Sequence, residues 1–577
     1  MLEQIPGAFL FDFGDTGWAD GLSLDGSSPQ RPSLALDEIP FTDLFTERPH
    51  TELLPAAVLN RFRLGGQRFG RHRAVSAHVR PLLGSPPITE LKFETGQEGL
   101  QYVSATHAQT RTSPGLLGGA GGRLNMMGHV SGTRSDGLYT GGALGAWQVL
   151  GRISLSRSGF AATITEFHAK HTVGARSGVV ADFPAAYDPA QATVLDPSAE
   201  RETSRNDLAL NIRSPLGDEV LSATAFWTRQ HERYTPTGID TTLVRGNRLG
   251  GHLVLPFRSG GHHVSLEVES WWDDAPGGQL NPFAGIEART QLHASLADSL
   301  SVSGFGLNAE AGVHSVGGEV FPSGQMRIGH SGAFTGLAYA GHVPGRIEVV
   351  GYYPLVTRLA STSSERVASA EAGFEFRSGS VDVRLRGFAS LTTNPRALVA
   401  DQAADAAFVD LDGDLQRAGG SLTIGWRSGT ERGFYANATA TATSVLNPDD
   451  SDLHRREADA LPNVHGNGRF GIRAVGLFDN NLDLDLAAQG RTWSAFRSRT
   501  FIPAAALFAL PPSPSPDVPA SGVLDLVVEA RLQRRATLFL LYENVLATRT
   551  YDGAFVVPVY PLPSHRVRFG LFWTLFG

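Results

Sequence analysis

The stretch from Gly522 to Gly577 limits what this chain can fold into more than any other. Val567, Phe569, Leu571, Trp573 and Leu575 fall at alternate positions, facing away from Arg566, Arg568, Gly570 and Thr574; Phe572 is the one apolar exception. Successive side chains of a strand point to opposite faces, so this is a strand with one greasy and one mostly polar face. The preceding run repeats the pattern. Leu524, Leu526, Val528, Ala530 and Leu532 alternate with Asp525, Glu529 and Arg531, and a short turn at residues 533–535 leads into residues 537–542. Greasy faces ending in aromatics, on strands that turn tightly at one end and connect widely at the other, predict a sheet whose outside meets lipid.

Upstream, the same unit recurs. Leu208, Leu210 and Ile212 turn at residues 214–218 into Leu221, Ala223, Ala225 and Trp227. Leu253, Leu255 and Phe257 turn at residues 258–261 into Val264, Leu266 and Val268, and Leu422, Ile424 and Trp426 turn at residues 428–431 into Phe434, Ala436 and Ala438. Asp479-Asn480-Asn481 turns Val475-Gly476-Leu477 into Leu482, Leu484 and Leu486. Gly, Asn and Asp at such tips are hairpin signals. Longer polar stretches lie between hairpins, at about 175–203, 273–287, 393–416, 445–465 and 497–521. Short turns at one end and long loops at the other are the asymmetry of an outer-membrane barrel. The 487 residues after residue 90 (577 minus 90), at roughly 22 per strand and connection, give about 22 strands, a size whose lumen is filled by a plug. A soluble sandwich, propeller or solenoid also alternates, but it calls for a fixed repeat or compact domains of roughly 100–200 residues. No fixed repeat is present.

Composition narrows the classes further. No apolar run approaches the ~20 residues of a spanning helix, whereas barrel strands need only ~9–11. The chain has no cysteine, which removes disulfides and thiolate metal sites. A net charge of −8, with no basic track, excludes nucleic acid as a partner. Lysine occurs only at Lys92 and Lys170, so almost every cation is arginine, which suits a lumen of ion pairs. Met1-Leu2-Glu3-Gln4 runs into domain-like sequence without the basic and apolar regions of an export signal. A start lying upstream, or a truncated gene product, is expected.

The two ends of the chain carry a family resemblance. Tyr542-Glu543-Asn544-Val545-Leu546 with Tyr551, then Tyr560-Pro561-Leu562-Pro563 and the closing strand, resembles the end of a TonB-dependent outer-membrane receptor. Asn544-Val545-Leu546 stands for the family's "N-L-F" and residues 563–566 for its "P-G-R"; Gly577 stands where a terminal aromatic is usual. At the other end, Ile5-Pro6-Gly7-Ala8-Phe9-Leu10, Leu22-Ser23-Leu24-Asp25-Gly26, residues 34–40, 53–66 and 74–80 follow the order of the family's plug motifs. Asp25 replaces a usual Arg, and Glu38 a turn Gly. The resemblance implies an all-β fold, a transmembrane antiparallel β-barrel of about 22 strands with a small N-terminal α/β plug domain in its lumen. Residues 1–90 would be a partial plug and 91–577 the barrel. It implies a monomeric receptor in the bacterial outer membrane, taking up a scarce external ligand such as a ferric siderophore, cobalamin or a glycan. A TonB-type energy-coupling protein would be the partner, although the TonB box has no counterpart in this sequence. The rival readings are an uncoupled barrel, serving as a passive pore or a surface component, and a secreted β-rich enzyme or adhesin.

By position in the family, Arg68 and Phe69 fall in the plug stretch near the ligand, and Trp493, Phe496, Tyr551 and Phe555 are loop-side aromatics facing it. No catalytic, cofactor or metal site is assigned. The glycine cluster at 116–122 lacks the Lys-Ser/Thr and βαβ context of a phosphate loop. His168 and His171, three apart on a strand, point to opposite faces. His262 and His263 read as turn residues. The acidic segments 449–452 and 410–414 offer oxygen ligands for calcium, but the second lacks a closing Glu, and both read as exposed loops. Glu267, Glu269, Asp483 and Asp485, on polar strand faces, are expected to pair with arginines of the plug or of adjacent strands.

Overall fold

Serine-glycine pairs end several of the strand runs in the computed structural model. Ser158-Gly159, Ser303-Gly304 and Ser331-Gly332 take positive φ at both positions (45° and 85°, 49° and 82°, 50° and 90°). This is the two-residue turn whose twist matches an antiparallel pair. Each joins long strands: Leu144–Arg157 to Phe160–Gly174, Arg289–Val302 to Phe305–Val316, and Glu319–His330 to Ala333–His342. The structure describes residues 2–65, 74–83, 86–113, 121–174, 178–181, 183, 185, 187–237, 241–278, 288–352, 356–359, 363–401, 406–429, 431–547 and 554–576.

Twenty-two strands close into one barrel. Neighbours in the chain pair antiparallel, and the last strand, Arg566–Phe576, returns to the first, Ile88–Gly96, from Arg568 opposite Gly96 to Phe576 opposite Ile88. No edge is left to template further pairing. The short connections between strand ends 157 and 160, 216 and 219, 259 and 262, 302 and 305, 330 and 333, 378 and 381, and 532 and 536 share a rim with both ends of the barrel segment. That is the periplasmic rim; the long connections stand at the other, external rim.

The alternating apolar residues face outward. Leu296, Phe569 and Trp573 are 54%, 53% and 43% exposed, and Leu208, Leu210, Trp227, Leu422, Ile424 and Trp426 are on the same outer surface. Next to the periplasmic turns, Phe257, Phe305, Phe376, Trp426, Phe434 and Trp573 form an aromatic ring, as the bilayer–water boundary favours. The chain is an integral outer-membrane barrel.

Residues 2–65 and 74–83 occupy the lumen. A hairpin (Ala8–Phe11 with Gly21–Leu24) sits beside a four-stranded sheet ordered Ile39–Pro40, Ser33–Leu36, Ala74–Val79, Leu59–Gly65, in which Ser33–Leu36 runs parallel to Ala74–Val79. Helical content among the described residues here is three short 3-10 turns. Leu22, Leu34, Val58, Val75 and Ala77 pack with Leu150, Phe167 and Ala169 of the wall. Glu38, at the place of the family's turn glycine, takes φ 75°, a conformation glycine adopts without steric cost.

The external connections differ from the polar stretches expected of them. Residues 343–364 and 544–565 are long external connections that sequence polarity does not mark, because they carry Ile347, Val350, Val356, Phe555, Val556 and Val557, all buried. The connection at 494–520 is also apolar inside, with residues 504–510 buried throughout. The described residues of these segments fold inward over the plug, so burial rather than water sets their composition.

Candidate functional site: the plug apex and its loop canopy

The tip of the first plug hairpin is built from Phe9, Phe11, Phe13 and Trp18, which a strand alternation followed by a tight loop projects toward the external rim. Two inward-folded loops meet them. Phe13 lies 4.8 Å from Phe501 and 5.4 Å from Tyr560, Trp18 5.5 Å from Phe501, Phe11 5.4 Å from Phe508, and Phe9 5.8 Å from Phe496, between ring centroids. All but the tilted Phe11–Phe508 pair are edge-to-face, and such pairs add about 0.5–1.5 kcal/mol each beyond area burial. Gly14 (φ +65°) leaves room for Pro563, whose Cδ would lie 2.3 Å from a Cβ at that position. Gln30 donates to the Phe508 carbonyl at 2.8 Å, and Arg201 of the wall donates to the Ala504 carbonyl at 2.8 Å. Behind the loop, buried Glu457 accepts from Arg499 and Arg417, both at 2.8 Å.

Trp493, Phe496 and Phe555 belong to this cluster and are buried in it, against the plug hairpin and the loops. The canopy covers them in this conformation. Arg68, Phe69 and Tyr551 lie outside the described residues.

Below the apex, beside the apolar packing against the wall, ion pairs hold the plug in place, most with the guanidinium on the barrel and the carboxylate on the plug. Arg386 binds Asp25 (2.7 Å), Arg491 binds Asp12 (2.7 Å) and Glu3, Arg289 binds Glu47 (3.1 Å), and Arg152 binds Asp37. Asp25, where the family carries a cation, is thus matched by Arg386. Arg31 reverses the polarity, reaching Glu365 at 2.6 Å. Fully buried Arg205 donates to the carbonyls of Pro40 (2.7 Å) and Thr42 (3.0 Å), holds Asp207 and covers the Phe41 ring at 4.5 Å. Around these contacts the lumen is not filled. One polar cavity of about 480 Å³ lies beside Asp12, Tyr435, Arg469, Arg491 and Asp525, and another of about 460 Å³ beside Pro6, Leu64, Glu310, Arg327 and Glu371.

A second apical element, residues 41–52, was not singled out by sequence. Asp43, Arg48, His50 and Glu52 lie against Gln230 and Glu232 of the wall, all buried. Arg48 holds Glu52 at 2.8 Å, Gln230 donates to Asp43 at 2.6 Å, and Arg201 holds Glu232 at 2.7 Å. Burial alone raises the Asp43 carboxyl, but the charges of His50 and Arg48 and the hydrogen bonds it accepts outweigh that and hold it below the usual carboxylate range. Glu52 is likewise held well below it, burial being outweighed by Arg48 and His50. The strand Glu219–Thr235 shows part of this in sequence, since Phe226, Thr228, Gln230, Glu232 and Tyr234 form one buried face. Its partner loop, about 180 residues away, leaves no such trace.

The other sequence candidates have local partners. His168 faces outward, stacked on Trp147 at 4.6 Å, while His171 is buried. His262 and His263, on the strand leaving a periplasmic turn, bind Asp298 and Glu219. Ser451 caps a helix, Asp452–Asp459, and His454 meets the Asp414 carbonyl. Asp485 pairs with Arg473 and Arg469 of the adjacent strand, and Glu267 with His252.

A family model described as a putative porin matches residues 460–577. No curated protein sequence matches the chain. Solved structures match along its whole length. The FrpB iron transporter from Neisseria meningitidis (F3-3 variant) is 12% identical with a TM-score of 0.73, covering 100% of this chain and 96% of that one. The siderophore receptor PirA from Acinetobacter baumannii is 12% identical (TM-score 0.74; 99% and 95%), as is the copper transporter OprC (0.74; 99% and 94%). With its closed barrel of 22 strands and an N-terminal segment lodged in the lumen, the chain has the fold of the TonB-dependent outer-membrane receptors.

Proposed function

We propose that this protein is an outer-membrane receptor that takes up a scarce external ligand, of the ferric siderophore or cobalamin class, through its plugged barrel. In this reading residues 1–90 are the movable plug and 91–577 the barrel. The observation that carries it is the contrast between the two plug contacts. The apical hairpin is apolar and capped by loops, which suits capture of a ligand, whereas the wall contact combines apolar packing against Leu150, Phe167 and Trp271 with many ion pairs and is flanked by cavities. Water in those cavities can take over the charged groups as the plug moves, and the barrel's closed strand ladder does not include the plug, so the plug can shift without unfolding the barrel. The structural neighbours named as iron transporter, siderophore receptor and copper transporter support the same reading. Trp493, Phe496 and Phe555 would meet the ligand once the canopy opens, together with Arg68, Phe69 and Tyr551. A TonB-type protein would supply the energy for plug movement.

The test is uptake of labelled ferric siderophores and cobalamin by cells carrying the protein, with and without the coupling protein. Uptake that requires both is expected; uptake indifferent to the coupling protein overturns the coupled mechanism. The canopy also predicts a barrel closed to ions at rest. Steady conductance of the purified protein in planar bilayers would favour the passive pore.

A further inference from the structure

We propose that Asp43, His50 and Glu232 bind a divalent transition-metal ion that clasps the apical plug loop to the barrel wall. One ligand atom from each lies within 4.8 Å of the others, the only such group among the described residues, and all three residues are buried. Two ligands come from the plug and one from the strand Glu219–Thr235, so the ion would join the moving part to the fixed one.

The hydrogen-bond pattern around His50 calls for a cation. Its Nδ1 faces Glu52 Oε1 at 3.1 Å, and its Nε2 faces Gln230 Oε1 at 3.2 Å and Asp43 Oδ2 at 3.7 Å. The Gln230 amide is fixed in orientation, because its oxygen accepts from Leu44 N at 3.2 Å and its nitrogen donates to Asp43 at 2.6 Å. Both imidazole nitrogens therefore face acceptors, while a neutral imidazole has one N–H. A second proton on Nε2 could serve only one of the oxygens gathered there, and a proton shared between the Asp43 and Glu232 carboxylates would serve only those two. A metal ion serves them together.

The surroundings suit such an ion. Nδ1–H donated to Glu52, itself held by Arg48, is the arrangement that orients a metal-binding imidazole and leaves Nε2 for the metal. Arg201 takes Oε2 of Glu232. Three carboxylates (Asp43, Glu52, Glu232) against two guanidiniums (Arg48, Arg201) leave a buried excess of one negative charge when the imidazole is neutral. A tetrahedral ion with bonds of about 2.0–2.2 Å holds its ligands about 3.3–3.6 Å apart, and the His50–Asp43 pair at 3.7 Å is close to that already. One imidazole with carboxylate and amide oxygens, in a chain without cysteine, selects zinc, cobalt(II), iron(II) or manganese rather than copper(I).

The test uses the full chain refolded into detergent with zinc sulfate or with chelator, then freed of loose metal by gel filtration. Elemental analysis should find about one zinc per chain, and at most about a tenth of that in His50→Ala and in the near-isosteric Glu232→Gln. Heat-modifiable migration shows that the variants have folded. The wild type loaded with cobalt(II) should show the visible absorption of a tetrahedral site, a readout independent of the variants. Protease cleavage of the plug should be slower with metal than without. A folded wild type that retains none of the four ions, or variants that retain zinc at the wild-type level, would overturn the proposal and leave His50 as an imidazolium in an ion-pair network.

Discussion

Arg205 is heavily committed at the plug–wall contact. It is fully buried, donates to two plug carbonyls and neutralises Asp207. Removing one partner of a buried pair leaves the other uncompensated, at a cost of about 3–5 kcal/mol. Arg205→Met should therefore loosen the plug strongly, read as a lower urea midpoint for protease protection of residues 1–90. Asp382→Asn, which breaks an exposed pair with Arg377 at the periplasmic rim, should leave that midpoint unchanged. Acid should act through the plug carboxyls. Asp12 and Asp37 both sit below their ordinary values: burial opposes this at each, but Arg491 with the Gly14 amide, and His78 with Arg152, respectively outweigh it. A depressed carboxyl contributes stability that is complete above its unfolded pKa, near 4, and is lost as pH falls through the folded value. Plug protection should hold from about pH 8 to pH 5 and fail progressively below about pH 4, as protease mapping against pH would show.

At the scale of elements, strands were legible and lids were not. Alternation fixes a strand's two faces locally, so the hairpins at 208–227, 253–268 and 422–438 could be read residue by residue. The canopy loops owe their shape to partners hundreds of residues away. Phe508 meets Phe11 and Phe13, and nothing local marks it as buried. The His50–Glu232 cluster escaped for the same reason. Only the resemblance pointed to Trp493, Phe496 and Phe555, and it gave no sign that they lie under a lid. Phe508→Ala should remove about 3–5 kcal/mol of packing at the apex. Because the chain has no cysteine, the opening is directly measurable. A cysteine placed at buried Ala505 should react slowly with a polar maleimide in the parent and several-fold faster beside Phe508→Ala; equal rates would show that Phe508 does not hold the lid.

For the whole molecule, the outer surface sets the environment and the inner one sets the traffic. Leu296 projects into the lipid belt midway along Arg289–Val302. Leu296→Arg should cost about 2–4 kcal/mol, measured as reversible unfolding in lipid vesicles, whereas the same change at a periplasmic turn should cost almost nothing. The count of 22 strands could be read from chain length because strands of 8 to 18 residues and their unequal connections average out over the whole barrel. The inner surface has a further consequence. The carboxylates facing Arg152, Arg289 and Arg491 all belong to the plug. When the plug withdraws, its negative charges leave with it, and guanidinium groups that never lose their proton stay behind along the passage. The vacated wall is left electropositive at those three points, so in a plug-deleted barrel under a salt gradient replacing Arg152, Arg289 and Arg491 by Gln should shift the reversal potential toward cation selectivity.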